Sequence, residues 1–249
     1  MWWPMGKFFF NAADRVADHV AIAGQNAHHM LHVLRFKIGT TVILCDSAST
    51  DYTATLEKLS DKPATLTFLL SNPTHALTEP PFPITLYQGL PKGDKMEWII
   101  EKCVEVGVTK IVPVITARTI SKSKDTIKKL ERYNRIAESA ACQSMRGTIP
   151  QVDAPIAMAE ALKHHTKGIT LVAYENECQR TIKAALQNIS PQPISIWIGP
   201  EGGFDETEIQ KLATEINATP VSLGARILRT ETSGIVAISN IQSAWEGQI

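Results

Sequence analysis

The sequence predicts an α/β protein with a small β-rich domain ahead of the main one. Two observations carry this. Before a proline-rich stretch at residues 73–83 the apolar residues fall in short β-type runs, and after it short strands and helical patterns take turns. Alternation of the second kind implies a mostly parallel sheet covered by helices. The expected organisation is therefore a domain over 1–72, a linker over 73–83 and a domain over 84–249.

The first domain is read from local patterning. Lys7-Phe8-Phe9-Phe10 continues the apolar opening Met1-Trp2-Trp3-Pro4-Met5 and reads as a buried strand. Residues 25–35 form a helix with Ala27, Met30, Leu31 and Leu34 on one side. Thr41-Val42-Ile43-Leu44-Cys45 and Tyr52-Thr53-Ala54-Thr55-Leu56 flank a turn at Asp46-Ser47-Ala48-Ser49, and Ala64 to Leu70 is a further strand. A small β-barrel is the natural architecture. The prolines of 73–83 cannot continue a helix or a central strand, hence the linker.

In the second domain Ile84 to Gln88, Ile111 to Ile115, Ile169 to Tyr174, Ile194 to Ile198 and Pro220 to Leu223 read as strands. Met96, Ile99, Ile100, Cys103 and Val104 recur at helical spacing, and Gly107 stops that helix. Ile127, Leu130, Ile136, Ala137 and Ala140 mark a second helix. Asp205 with Glu208 three residues on is a capping box for a third, and the last runs from about Thr232 to Trp245.

Bulk properties narrow the function. Basic and acidic side chains balance at 25 each, which excludes a molecule-wide positive coat but leaves room for a local basic patch. No apolar run approaches the roughly 18 residues of a membrane-spanning helix, so a cytoplasmic location without membrane partners is expected. Cys45, Cys103, Cys142 and Cys178 form no C-x-x-C pair, and His28-His29 and His164-His165 lack ligand spacing, so no metal is expected.

Three segments point to chemistry. The strand at Ile194 to Ile198 runs into Gly199-Pro200-Glu201-Gly202-Gly203-Phe204 and then the capped helix. Strand, glycine loop and helix start together make a ligand site in α/β proteins. The loop has neither G-x-x-x-x-G-K-[ST] nor G-x-G-x-x-G spacing, and its Glu201 would repel a pyrophosphate. By itself it is equally readable as a tight structural turn. Leu223-Gly224-Ala225-Arg226-Ile227-Leu228-Arg229-Thr230-Glu231-Thr232 brings two arginines and a glutamate to a helix start. At a parallel strand's carboxyl end it would lie beside the first loop, where it holds a phosphate or base edge, or forms only a surface ion pair. Lys110, Arg118, Lys122, Lys124, Lys128, Lys129, Arg132, Arg135 and Arg146 form a basic stretch that suits a phosphate backbone or is a solvated helix face.

Taken together, these segments resemble the bacterial 16S ribosomal RNA uridine-N3 methyltransferases of the SPOUT superfamily. Besides the two loops, the resemblance rests on Lys7-Phe8-Phe9, on His32-Val33-Leu34-Arg35 with Gly39, on Glu101-Lys102-Cys103-Val104-Glu105-Val106-Gly107-Val108, and on Gln143-Ser144-Met145-Arg146 with Pro150. It covers almost the whole chain. It implies a PUA-like β-barrel for RNA followed by a trefoil-knotted α/β domain, where patterning alone suggests a plain doubly wound sheet. It further implies a homodimer, S-adenosylmethionine as methyl donor, and N3 of a uridine in 16S ribosomal RNA of the small subunit as acceptor.

Carried over by position, the donor would meet Ala173, Tyr174 and Glu175, then Ile198, Gly199, Pro200, Glu201, Gly202 and Gly203, and finally Leu223, Gly224, Ile227 and Leu228. Arg229 and Glu231 would serve catalysis, and Arg35, Arg118, Arg146 and Arg226 the RNA. A carboxylate in the glycine loop then suits a sulfonium cation. The sequence departs from the family at Met145, where Q-S-G-R has glycine, at Thr148, where a second arginine is usual, and at Ser233-Gly234, where alanines follow T-E-T. Another target nucleotide, an RNA-binding protein without catalysis, and a dinucleotide enzyme remain as alternatives; the missing G-x-G-x-x-G counts against the last.

Overall fold

A computed structural model describes residues 6–120, 126–165 and 167–245. Met1 to Met5 of the apolar opening, and Lys122 and Lys124 of the basic stretch, lie outside the described residues. The chain forms two units, one running up to Glu79 and including Ala141–Ile149, the other comprising Pro80–Ala140 and the chain from Pro150.

In the first unit β1 (Lys7–Phe9), β2 (Arg15–Val16), β3 (His19–Ala23), β4 (Thr41–Cys45), β5 (Thr50–Asp61) and β6 (Ala64–His75) form one sheet in the order β1-β4-β5-β6-β3-β2. The β1–β4 ladder is parallel and the others antiparallel. Strand alternation sends Tyr52, Ala54 and Leu56 of β5 and Leu66, Phe68 and Leu70 of β6 into a core with Phe10, Val20, Ile22, Val42 and Leu44. Burial of each large apolar side chain there contributes about 1.5–3 kcal/mol.

Several expectations need correction here. No ladder joins β1 to β2 among the described residues, so the expected barrel is an open sheet in its hydrogen bonding, ended by an exposed two-residue strand. Strand β6 runs to His75, into the stretch read as linker. Pro73 is tolerated because the register shifts opposite Asp51 and Thr53, a bulge where no ladder N–H is required. The helix expected over 25–35 is α1 (Gly24–His28) continued by a π-helical turn at His29–Val33. It stops as Arg35 takes a left-handed φ of 56°. Ala27 and Met30 are buried as expected, whereas Leu34 is exposed.

In the second unit β7 (Ile84–Gly89), β8 (Lys110–Ile115), β9 (Gln151–Val152), β10 (Ile156–Ala157), β11 (Ile169–Ala173), β12 (Ile194–Ile198) and β13 (Thr219–Val221) form a sheet in the order β10-β8-β7-β12-β11-β13, with β9 also on β8. Every ladder is parallel. The central strands β7 and β12 are buried throughout, which is why large apolar residues dominate both and why their few polar residues, Thr85, Gln88 and Ser195, are buried as well. Tyr87 and Trp197, cross-strand partners, stack with ring centroids 4.2 Å apart.

The helices of this unit are α2 (Lys95–Glu105), α3 (Thr126–Gln143, whose last turn belongs with the first unit), α4 (Met158–Lys163), α5 (Ile182–Ala185), α6 (Glu206–Ile216) and α7 (Thr230–Trp245). Helix α7 packs on α2 through Gly234, where an added Cβ would stand 3.3 Å from Cys103 Sγ. The glycine in place of a family alanine therefore matches a close helix contact, and Ser233 Oγ donates to Arg229 O at 3.0 Å. Strand β13 ends two residues earlier than expected, and Ser222 N–H donates instead to Arg180 O. No helix among the described residues is long and apolar enough to cross a membrane.

Candidate cofactor cleft

Because the sheet is parallel, the loops after β7, β11, β12 and β13 emerge at one edge, where open α/β sheets bind ligands. Strand β12 ends at Ile198, and Gly199 to Phe204 turn the chain into α6. Asp205 caps that helix by accepting from Glu208 N–H at 2.7 Å, while Glu208 Oε2 accepts from Asp205 N–H at 3.1 Å. The glycines are required by space as well as by dihedral. Gly203 sits at φ 68°, and a Cβ there would stand 2.9 Å from Glu175 Oε1. A Cβ on Gly89, the last residue of β7, would stand 2.5 Å from Pro200 N and Cδ.

A buried relay stands behind the loop. Gln88 Nε2 donates to Gly89 O at 3.0 Å and to Thr230 Oγ1 at 2.9 Å, and Thr230 Oγ1 donates to Gly199 O at 2.6 Å. Gln88 Oε1 is buried with no hydrogen-bond partner among the described residues. Sequence reasoning missed Gln88; its only signal was an amide near the end of a mostly apolar strand. Gln88→Leu is expected to leave the melting temperature unchanged or higher, since an unsatisfied buried oxygen is removed. Donor affinity in a calorimetric titration should fall several-fold, about the worth of one or two hydrogen bonds.

The charged groups of the cleft are arranged around Lys95, at the start of α2, which the sequence reading also missed. Its Nζ lies 3.0 Å from Glu201 Oε1 and 3.4 Å from Glu231 Oε2. Glu201 Oε1 also accepts from Lys92 N–H at 3.1 Å. The hydrogen bond to Glu201 holds Lys95 above its ordinary range. Burial alone would raise Glu201, but Lys95 and the backbone N–H groups outweigh it and keep the carboxyl below the usual range. Glu231 is mostly buried, whereas Arg229, 84% exposed, reaches into solvent with Nη1 4.0 Å from Glu231 Oε1.

The structure brings Ala173, Tyr174, Glu175, Ile198, Gly199, Pro200, Glu201, Gly202, Gly203, Leu223, Gly224, Ile227, Leu228, Arg229 and Glu231 around one cavity of about 860 Å³, with Arg226 on its wall. That volume suits a nucleotide-sized ligand, for which pockets run to roughly 1,000 Å³. Its loop backbone, its apolar Ile198, Leu223 and Leu228, and its carboxylates fit an adenosine-bearing cation better than a pyrophosphate.

The remaining arginines go to different places. Arg35 is exposed in the first unit. Arg118 is exposed and donates from Nη1 to Gly202 O, bracing the glycine loop. Arg146 departs from the expectation of a phosphate ligand. It is buried and forks onto Glu79, whose carboxylate also accepts from Gly147 N–H at 2.8 Å and from Thr148 N–H and Oγ1 at 3.2 and 2.9 Å. The unusual Thr148 is thus part of the clamp, and Met145 holds the φ of 61° that a glycine would take without strain. Much of the basic stretch is likewise paired: Lys110 with Asp153, Arg132 with Glu97 and Arg135 with Glu131.

Residues 78–242 match the RNA methyltransferase domain family, and residues 22–69 match the RNA methyltransferase PUA domain family. Fold and cleft accordingly define an RNA methyltransferase. The chain is 36% identical to a ribosomal RNA small subunit methyltransferase E of Bacillus subtilis, over 97% of this chain and 98% of that one. It is 34% identical to the protein of that name from Synechocystis, over 91% of this chain and 74% of the relative. Its structure superposes with a TM-score of 0.85 on a ribosomal RNA small subunit methyltransferase E from Neisseria gonorrhoeae bound to S-adenosyl methionine, 32% identical and covering 97% and 98% of the two chains. The chain belongs to the ribosomal RNA small subunit methyltransferase E family.

Proposed function

We propose that the protein transfers a methyl group from S-adenosylmethionine to N3 of a uridine in the 16S ribosomal RNA of the small subunit. The observation that carries this reading is the single cleft walled by both Gly199–Gly203 and Leu223–Glu231. The relatives' names and the S-adenosyl methionine held by the Neisseria gonorrhoeae protein support the substrate and the donor. The reading includes a trefoil knot in the loops that wall the cleft, a homodimer, a cytoplasmic location, and a PUA-like domain followed by a methyltransferase domain.

When bound, the donor supplies an electrophilic methyl carbon on a sulfonium sulfur. Residues Ala173 to Glu175, Ile198 to Gly203 and Leu223 to Leu228 hold it, and alignment with the nucleophile supplies much of the rate. Uracil N3 carries a proton and attacks only once that proton is lost. Arg229, mostly exposed beside Glu231, stabilises the resulting anion, and Glu231 orients Arg229 and accepts the proton. N3 lies on the pairing edge, so the uridine enters unpaired or flipped out. Arg35, Arg118 and Arg226 are exposed and serve RNA contact.

Labelled methyl transfer to undermethylated small subunits, with mass mapping of the nucleoside, tests the reading. Arg229→Ala is expected to lower kcat by about 100-fold to 1,000-fold, as for removal of one charge-stabilising donor. Its donor affinity should match wild type, because Arg229 lies at the exposed side of the cleft. Wild-type turnover by this variant would remove Arg229 from the mechanism, and a methyl on another atom would remove the N3 assignment.

A further inference from the structure

We infer that Lys95 is a positioning residue for methyl transfer: its ammonium clasps Glu201 of the glycine loop and Glu231 of α7 to each other, holding the donor loop and the Arg229–Glu231 pair in one register. The inference rests on the proposed function and adds to it a residue that neither cofactor loop contains.

Three observations set this contact apart from a surface ion pair. The first is that one cation serves two carboxylates, one from the glycine loop and one from the first turn of α7, 3.0 Å from one and 3.4 Å from the other. The second is Glu231 Oε2, which is buried and makes no hydrogen bond among the described residues, so Lys95 is the cation that offsets it. Burial of an uncompensated carboxylate is costly, and its geometry is therefore tied to that ammonium. The third is that Lys95 is the first residue of α2, where the helix dipole disfavours a cation. Something other than helix stability keeps a lysine there, and Lys92 N–H, from the same turn, points at the same Glu201 oxygen.

Glu175, Glu177 and Arg226 share the cleft with the clasp, and Lys92 and Arg118 lie beside Glu201. Glu201 faces Lys95 from the glycine loop and Glu231 from the start of α7, with Arg229 on the far oxygen of Glu231 at 4.0 Å. On its own helix, Glu97 is taken up by Arg132 at 2.7 Å. Without Lys95 the two carboxylates repel each other and Glu231 leaves Arg229 unoriented, while Lys92 N–H still holds Glu201 and with it the glycine loop. Arginine at position 95 has a fork that can reach both carboxylates and should replace it in part.

The test compares wild type, Lys95→Met and Lys95→Arg. In the unliganded protein, a carbon-13 titration of glutamate side chains should show the low Glu201 midpoint moving upward in Lys95→Met and returning in Lys95→Arg. In methyl transfer, Lys95→Met should lose kcat by about tenfold or more with a much smaller change in donor affinity, the signature of lost positioning. The acid limb of its pH profile should move to higher pH, because Glu201 loses the cation that helps keep it ionised. Unchanged titration and kcat in Lys95→Met would overturn the inference, as would equal losses in both variants with an unmoved pH profile. If wild type transfers no methyl, the proposed function falls, and the titration of the unliganded protein still decides whether Lys95 clasps the two carboxylates.

Discussion

Gly89→Ala is expected to weaken S-adenosylmethionine binding by about a hundredfold, the cost of misplacing a site by roughly an ångström. The methyl would stand 2.5 Å from Pro200 N and Cδ and 2.8 Å from the Gly199 carbonyl carbon. These are backbone and ring atoms, so no side-chain rotation relieves the overlap. Strand β7 cannot yield either, because it is buried between β8 and β12 and registered on both, with Gly89 opposite Val114 and Gln88 opposite Ile198. The glycine loop must therefore move, and it carries Glu201 and the backbone of the cleft wall with it. Overpacking of this kind costs about 1–3 kcal/mol, or a fall in melting temperature of about 2–12 °C for a domain of this size. Calorimetric titration of folded Gly89→Ala decides the matter: a wild-type affinity would mean that Gly199 to Gly203 do not hold the donor.

Where the physics is local, the sequence announces the structure. Strand β12 occupies Ile194–Ile198, as its isoleucine- and tryptophan-rich run indicates, and the Asp205–Glu208 capping box forms as its spacing requires. Both depend on residues within a few positions of one another. The elements that escaped sequence reading depend on distant partners. Gln88 matters through Thr230, 142 positions away, and Lys95 through Glu201, 106 positions away. Neither partner is visible from the local pattern, which shows only one amide in a mostly apolar strand and one lysine near a helix start. Arg146 shows the same dependence in the opposite direction. A tally of basic residues assigns it to a phosphate, whereas the fold delivers Glu79, out of a stretch read as linker, to neutralise it. Pro73 shows the limit of a sound rule: proline does break a ladder, but the bulge at that position leaves no bond to break.

That clamp between Glu79 and Arg146 also sets the largest stability effect expected in the first unit. Arg146 is 2% exposed and Glu79 17%, and the carboxylate gathers the guanidinium, two backbone N–H groups and a hydroxyl. Glu79→Ala leaves the buried Arg146 charge without its carboxylate, and breaking a buried pair from one side costs about 3–5 kcal/mol. Replacing both partners, as Glu79→Leu with Arg146→Met, removes the buried guanidinium as well and should cost much less than Glu79→Ala alone. Acid should act on the same pair. Burial pushes Glu79 upward, but Arg146, Thr148 and Gly147 outweigh it, so its folded value lies below the unfolded value of 4.5. A depressed carboxyl stabilises fully above its unfolded value and loses that contribution as pH falls through the folded one. Wild type should thus lose stability progressively below pH 4.5, and Glu79→Ala, already weakened, should lack this part of the slope. Denaturant melts of the three proteins between neutral and acid pH measure both effects. Equal midpoints for wild type and Glu79→Ala at neutral pH would show that the clamp holds nothing together.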